Sequence, residues 1–211
     1  YTHAVDFGNS ATINGVAFAG DMNQSAGGRT NSGTRAYANL STGGTPANVT
    51  GSVATLLNGF FYNGGTGYME LTGLTAGKWY DLRFYDRAWD SSVGRNYTLG
   101  YDVGSDGSIE YTTPTIDQNH PEYSPVNLTA NTPWATCYVY QADSTGKIKI
   151  TITTSSYHLY GLSNQLAVNN MIFNSSTTSV SATSSSVLDL GFSGGNNTLG
   201  SLNLTAGGST V

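Results

Sequence analysis

Charge is scarce in this sequence. Asp, Glu, Lys and Arg make up 10% of its 211 residues, against about 25% in an ordinary soluble domain. The eight Lys and Arg residues are scattered and the net charge is −5, so no basic patch is available for nucleic acid or anionic lipid. No apolar run is long enough to span a membrane. We therefore expect neither nucleic-acid binding nor a membrane span.

The residue types that usually carry catalysis are also few. The single cysteine, Cys137, excludes an intrachain disulfide, and the alternation of its segment predicts a small buried residue. The three histidines are far apart, and Glu70 and Glu110 lie inside alternating strand patterns. A glycosidase needs two carboxylates that flank a cleft, and no nucleophile or phosphate-binding motif occurs. We expect no enzymatic activity and no cofactor.

Turn formers and strand formers replace the missing charge. The chain has 27 Gly, 28 Thr, 24 Ser and 19 Asn, which suit turns and exposed strand faces. Many short strand-like segments follow one another without a helical apolar stripe, which predicts an all-β fold, a β-sandwich or jelly roll, over residues 1–173. The predicted strands are residues 4–8, 12–18, 53–62, 68–72, 79–87, 96–103, 108–113, 136–141, 147–154, 157–162 and 166–173. Residues 20–51 read as a long loop with one strand near residues 34–40.

Aromatic residues are plentiful and suggest a sugar-binding surface. The chain has 24 of them, 14 being Tyr, and sugar rings stack on exposed aromatic faces while Asn, Asp and Arg bind hydroxyls. In residues 79–87 alternation directs Tyr85 and Arg87 to the outer face. With Trp89 and Asp90, which follow, they are candidate carbohydrate-binding residues. Trp89 could equally plug the mouth of the sandwich.

Calcium is the one metal for which the sequence offers ligands. The turn at residues 102–107 carries Asp102 and Asp106, and Asp86 and Asp90 could supply carboxylate oxygens from a second loop. A plain Asp-Gly hairpin turn explains the first segment at least as well.

The last 38 residues break with the sandwich pattern. Residues 174–186 contain ten Ser or Thr in thirteen positions, too little apolar surface to fold, and are predicted to be an extended linker. Residues 187–211 return to strand alternation, and two short strands cannot stand alone in water. The linker spans at most about 43 Å, enough to reach a neighbouring molecule. The apolar residues predicted to dock between subunits are Leu188, Leu190, Phe192, Leu199, Leu202 and Leu204.

Two parts of the sequence resemble known modules. Residues 5–8, 71–89, 95–99 and 157–166, with the core Leu-x-x-Leu-x-x-Gly-x-x-Tyr-x-Leu at residues 71–82, resemble β-sandwich modules of large secreted or surface-attached bacterial proteins. Residues 187–204 are similar to the autotransporter-associated β-strand repeat. The resemblances imply a location outside the cell and a structural or adhesive role, and they imply no catalytic residue.

These features lead to two functional hypotheses. The first is an extracellular or cell-surface structural subunit that assembles with other copies of itself, head to tail, into a filament by adding its C-terminal strands to a neighbour's sheet. The alternative is a carbohydrate-binding, adhesin-type module of a larger secreted protein. The start at Tyr1, without Met or a basic leader, indicates a processed and exported chain. Eight Asn-x-Ser/Thr sequons permit covalently attached glycans, at Asn23, Asn39, Asn48, Asn96, Asn127, Asn174, Asn196 and Asn203.

Overall fold

A computed structural model describes residues 1–21, 29–45, 48–62, 65–89, 95–121, 128–154 and 157–167. The compact unit is Tyr1–Ala167. The predicted linker, the predicted tail and the domain boundary at residue 173 lie outside the described residues, so these interpretations stay predictions.

Fifteen strands and one short helix lie within the described residues. The strands are β1 His3–Asp6, β2 Ala11–Ile13, β3 Val16–Gly20, β4 Arg29–Ser32, β5 Arg35–Ala38, β6 Ser41–Gly44, β7 Gly59–Tyr62, β8 Gly67–Leu71, β9 Trp79–Arg87, β10 Asn96–Val103, β11 Tyr111–Thr112, β12 Ile116–Asp117, β13 Pro133–Gln141, β14 Ile148–Thr154 and β15 Gly161–Leu166; the helix α1 is Val53–Leu56.

Two sheets form the sandwich that the sequence predicts. Sheet 1 has the strand order β13-β9-β15-β1-β3-β2 and sheet 2 the order β11-β10-β14-β8-β5-β4, with β12 beside β10. Neighbouring strands are antiparallel except β1 and β3. A separate pair, β6-β7, adds a third small sheet.

Alternating apolar residues build the core between the sheets. Ile148, Ile150 and Ile152 of β14 are fully buried from sheet 2. Leu82 and Phe84 of β9 meet them from sheet 1 and are equally buried. The period-two pattern therefore decides which face of each strand is inside, and the all-β sandwich is confirmed.

The strand predictions are wrong where the apolar alternation of the sequence is weak. Residues 53–62, predicted as one strand, divide into α1 and β7, because the four residues of α1 turn Leu56 inward and only β7 pairs with another strand. Residues 20–51, predicted as a loop with one strand, contain β4, β5 and β6. β4 and β6 are short polar strands held by backbone pairing, so they carry no hydrophobic period.

Cys137 is also placed differently from the prediction. It is exposed, because the inward positions of β13 are occupied by Trp134, Tyr138 and Tyr140, and Cys137 falls on the opposite face. In the part of the chain that the structure describes, no helix has the length and hydropathy of a membrane span.

Candidate ligand-binding site

One half of the outer face of sheet 1 is covered by the chain itself. Leu56 of α1 packs on Gly161, which lies in a row with its cross-strand neighbours Asp6 and Tyr85. A Cβ atom at Gly161 would lie 2.6 Å from Leu56 Cδ1 and 2.7 Å from the carbonyl oxygen of Val5, so only glycine fits beneath α1. We call this the covered half of the outer face.

Arg87, at the end of β9, is fully buried in the covered half. Its Nε donates to the carbonyl oxygen of Leu57 at 3.2 Å, and a second nitrogen donates to that of Thr45 at 3.3 Å. Its remaining terminal nitrogen donates to Asn131 Oδ1. The guanidinium carbon also lies 5.1 Å from the centroid of the Tyr160 ring. Neutral oxygens and an aromatic ring thus hold this cation.

A cluster of aromatic rings lies next to Arg87, where β7 and β9 end. The Phe60 ring stacks on His158 with centroids 3.9 Å apart, and Trp89 meets His158 edge to face at 4.3 Å. Tyr62 contacts the same pair, at 6.0 Å from Phe60 and 6.5 Å from His158. Phe60 and His158 are buried, Trp89 is half-buried, and Tyr62 is 42% exposed. Tyr62 and Trp89 therefore present the outer surface of the cluster.

Two arginines lie over the Trp89 ring. The guanidinium carbon of Arg95 is 4.7 Å from its centroid and that of Arg87 is 5.4 Å away, distances that allow cation–π attraction. The backbone N–H of Trp89 donates to Asn119 Oδ1 at 2.6 Å. Strands β7 and β9 end here and β10 begins here. We call Tyr62, Trp89, Arg95 and Asn119 the end site.

Two titratable groups near the end site, His158 and Asp86, have pKa values that burial shifts toward the neutral form. Burial, together with the nearby Arg95 and Arg87 cations, lowers the pKa of His158 to about 3, so the imidazole is neutral. Its Nδ1 atom is buried without a hydrogen-bond partner among the described residues. Asp86 is fully buried, and burial raises its pKa well above the usual range. Its two oxygens accept from the Arg87 N–H and the Tyr97 hydroxyl. Asp86 therefore supports the fold rather than facing solvent.

Of the four predicted sugar-binding residues, the structure brings two together. Arg87 and Trp89 are in contact; Arg87 lies on the predicted outer face of β9 but is buried there by other parts of the chain. Tyr85 is half-buried and separate; its hydroxyl is 2.8 Å from Ser163 Oγ and its ring packs on Phe18. Asp90 lies outside the described residues.

The sequence pattern predicts only Trp89 of the end site. Tyr62, Arg95 and Asn119, and the His158 ring that supports them, come from four separate segments, so no local pattern brings them together. The one available signal was the aromatic run Phe60-Phe-Tyr62, which is longer than a strand core needs.

The predicted calcium turn uses its carboxylate internally. Asp102 is buried, and its two oxygens accept the backbone N–H groups of Asp106 and Gly107, each at 3.0 Å. Within the described ranges no group of three or more His, Cys, Asp or Glu residues is arranged to hold a metal ion. The geometry agrees with an Asp-Gly turn, and calcium binding stays a prediction.

Known proteins resemble this chain in fold. No protein-family model and no curated protein sequence matches it. A Bacteroides uniformis β-glucuronidase is 12% identical, with a TM-score of 0.53, over 78% of this chain and 18% of the enzyme. The plant receptor-like kinase ANX2 is 10% identical, with a TM-score of 0.51, over 77% of this chain and 47% of that one. A family 35 carbohydrate-binding module from Clostridium thermocellum is 18% identical, with a TM-score of 0.40, over 63% and 92%.

The first two likenesses establish the fold alone. The chain spans about a fifth of the glucuronidase and about half of the receptor-like kinase structure, so the activities of those whole proteins do not transfer. The third match is too distant to support a functional conclusion.

Proposed function

We propose that this chain is a non-catalytic carbohydrate-binding module of an extracellular protein and that the end site binds the sugar. The observation that carries the proposal is that Tyr62 and Trp89 both contact the buried Phe60–His158 pair, with Arg95 over the Trp89 ring. Exposed aromatic surface with a few fixed polar groups is typical of a small-molecule site.

Each part of the end site has a task in this proposal. Tyr62 and the accessible part of Trp89 provide the apolar surface on which a sugar ring stacks. Arg95 and Asn119 are polar groups within the same cluster and bind hydroxyls. The buried Arg87 and the Phe60–His158 pair fix the orientation of Trp89, so that little side-chain entropy is lost on binding.

Carboxylate geometry supports a non-catalytic role. Glycoside hydrolysis normally uses two carboxyl groups on either side of the bond. Asp86, next to Arg87, is fully buried and hydrogen-bonded to Arg87 and Tyr97, and Asp117 Oδ1 accepts the backbone N–H of the end-site residue Asn119 at 2.9 Å, so both carboxyl groups have structural partners. A surface-protein location is supported by the resemblance of the sequence to secreted modules.

The test is retention on a panel of immobilised polysaccharides. Wild-type protein is expected to be retained by at least one polysaccharide, and Trp89→Ala and Tyr62→Ala are expected to lose that retention. Tyr111→Ala is the matched control, because Tyr111 is 41% exposed on a different strand. Retention that survives both end-site variants would reject the site. A wild type that binds no member of a broad panel would reject sugar binding.

A second candidate function is head-to-tail assembly, and the edge of sheet 1 favours it. β13 is nine residues long and has β9 as its neighbour on one side. Its outward residues Ala135, Cys137 and Val139 are exposed, Val139 by 52%. Among the described strands β9 is the one that pairs with β13, and an uncharged edge strand of this length can accept another strand. We propose it as the acceptor for residues 187–211 of a neighbouring copy.

Filament formation is tested with the full chain. Val139→Lys places a charge on the β13 edge and is expected to abolish polymer seen by electron microscopy, as is deletion of residues 174–211. Lys147→Gln, a charge change away from β13, is the control and should polymerise like the wild type. Dispersed wild-type particles at high concentration would end this candidate without affecting the sugar site.

A further inference from the structure

Five tyrosine rings stack along the side of the sandwich where the two sheets meet at their edges. Tyr138 and Tyr140 come from β13, the edge of sheet 1, and Tyr80 comes from the adjacent β9. Tyr101 of β10 and Tyr111 of β11 come from sheet 2. The centroid distances are 4.0 Å for Tyr101–Tyr138, 5.6 Å for Tyr111–Tyr138, 5.7 Å for Tyr138–Tyr140 and 5.8 Å for Tyr80–Tyr140.

Access to solvent singles out two of these rings. Tyr80, Tyr101 and Tyr140 are buried. Tyr111 is 41% exposed and Tyr138 is half-buried. The rings of Tyr111 and Tyr138 are nearly parallel, with an interplanar angle of 5°. The pair that an external oxidant can reach is therefore also a pair in stacking contact.

We propose that Tyr111 and Tyr138 are the site of an intramolecular dityrosine cross-link, formed by hydrogen peroxide with a haem peroxidase. Each phenol loses one electron and one proton to give a tyrosyl radical. The two radicals join through a carbon–carbon bond between the ring positions next to the hydroxyls, and the ring hydrogens return to the oxygens. One peroxide is reduced to two waters, which contain the two hydrogens removed.

Proximity is the reason for this pairing. Radicals on one molecule couple far faster than radicals on two molecules when the rings are already held in contact. The rings must move a few ångströms closer, which is feasible for Tyr111 because β11 has only two residues. The new bond would connect the edge strand of sheet 1 to the edge strand of sheet 2. This inference is independent of the proposed sugar site.

The experiment treats dilute full-length protein with peroxide and a haem peroxidase. The monomer fraction is then analysed by dityrosine fluorescence, intact mass and peptide mapping. The wild-type monomer is expected to lose two hydrogens and to yield one cross-linked peptide pair, which contains Tyr111 and Tyr138. Its urea midpoint should rise, because the cross-link restricts the unfolded chain.

Variants that keep the rings separate this site from general oxidation. Tyr111→Phe and Tyr138→Phe should each abolish dityrosine in the monomer. Tyr62→Phe is the matched control, since Tyr62 is 42% exposed and its ring neighbours are Phe60 and His158. Dityrosine that appears only in dimers, or that maps to another pair, would overturn the proposal. The peptide map of the wild type decides the question even if a variant folds poorly.

Discussion

Two arginines on the same face of one strand have opposite surroundings. Arg83 and Arg87 both point outward from β9. Arg83 has a side chain that is 48% exposed, and it forms an ion pair with Asp81 at 2.7 Å. Arg87 is fully buried and is held by carbonyl and amide oxygens. Strand alternation is the same at both positions, so the difference comes from the segments that bring Leu57, Thr45 and Asn131 onto Arg87.

The two halves of the outer face of sheet 1 differ in burial in the same way. The covered half contains Arg87, Asp6 and the support of Trp89. The open half, defined by Arg83, Cys137 and Val139, faces solvent. A sheet face therefore becomes a second, small core wherever a loop segment lies on it, and polar residues in that core must find partners within the protein.

The largest expected effect is at Arg87. Arg87→Ala removes a buried cation and leaves the oxygens of Leu57, Thr45 and Asn131 without their donor. We expect a loss of about 3–5 kcal/mol in unfolding free energy, measured by urea denaturation. Arg83→Ala, on the same strand, should cost about 1 kcal/mol or less, because its ion pair is half-exposed. Equal losses for the two variants would contradict the comparison.

The second effect is sensitivity to acid through His158. Its pKa of about 3 in the folded state lies below the unfolded value of 6.5. The unfolded chain therefore binds a proton between these values that the folded chain does not, and stability falls as the pH drops. His158→Phe should be more stable than the wild type by about 3 kcal/mol at pH 4, relative to pH 7. Identical pH profiles for the two proteins would show that His158 is not kept neutral.

Asp6 should act in the opposite direction. Burial raises the pKa of Asp6 from 3.8 to about 7, although the backbone N–H of Gly8, which donates to Asp6 Oδ1 at 2.7 Å, favours the charged form. The folded chain keeps a proton that the unfolded chain loses above pH 3.8, so stability falls as the pH rises toward 7. Asp6→Asn should remove roughly 2 kcal/mol of this decline between pH 5 and pH 7. Unfolding curves of both proteins across that range measure it, and a wild-type decline that persists in the variant would exclude Asp6.

The sequence predicts the open half better than the covered half. Alternation in β9 and β14 predicts the inward residues correctly, because successive side chains of a strand point to opposite faces of the sheet. It directs Arg87 outward and cannot show that Leu57, which follows α1, and Thr45, which follows β6, return to cover it. A weakly patterned segment carries no sequence signal that shows which residues it packs against.

The end site shows the same limit. Trp89 was recognisable as a candidate because it follows a strong strand, whereas Arg95, Tyr62 and His158 meet it from distant parts of the chain. Their convergence follows from strand order, which alternation does not specify. The site can be found only when the order β9-β15 and β10-β14 is known.

The smallest expected effect concerns Cys137 in the open half. The residue is exposed, yet its sulfur donates to Asp81 Oδ1 at 2.9 Å. Partial burial of the thiol and this carboxylate raise the pKa of Cys137 to about 12. Asp81→Asn should therefore increase the rate of alkylation by iodoacetamide at neutral pH about tenfold, with a loss of stability of about 1 kcal/mol or less. Gln141→Ala, at the end of the same strand, should leave the rate unchanged. A fast alkylation rate in the wild type that Asp81→Asn does not change would show that this carboxylate does not control the reactivity of Cys137.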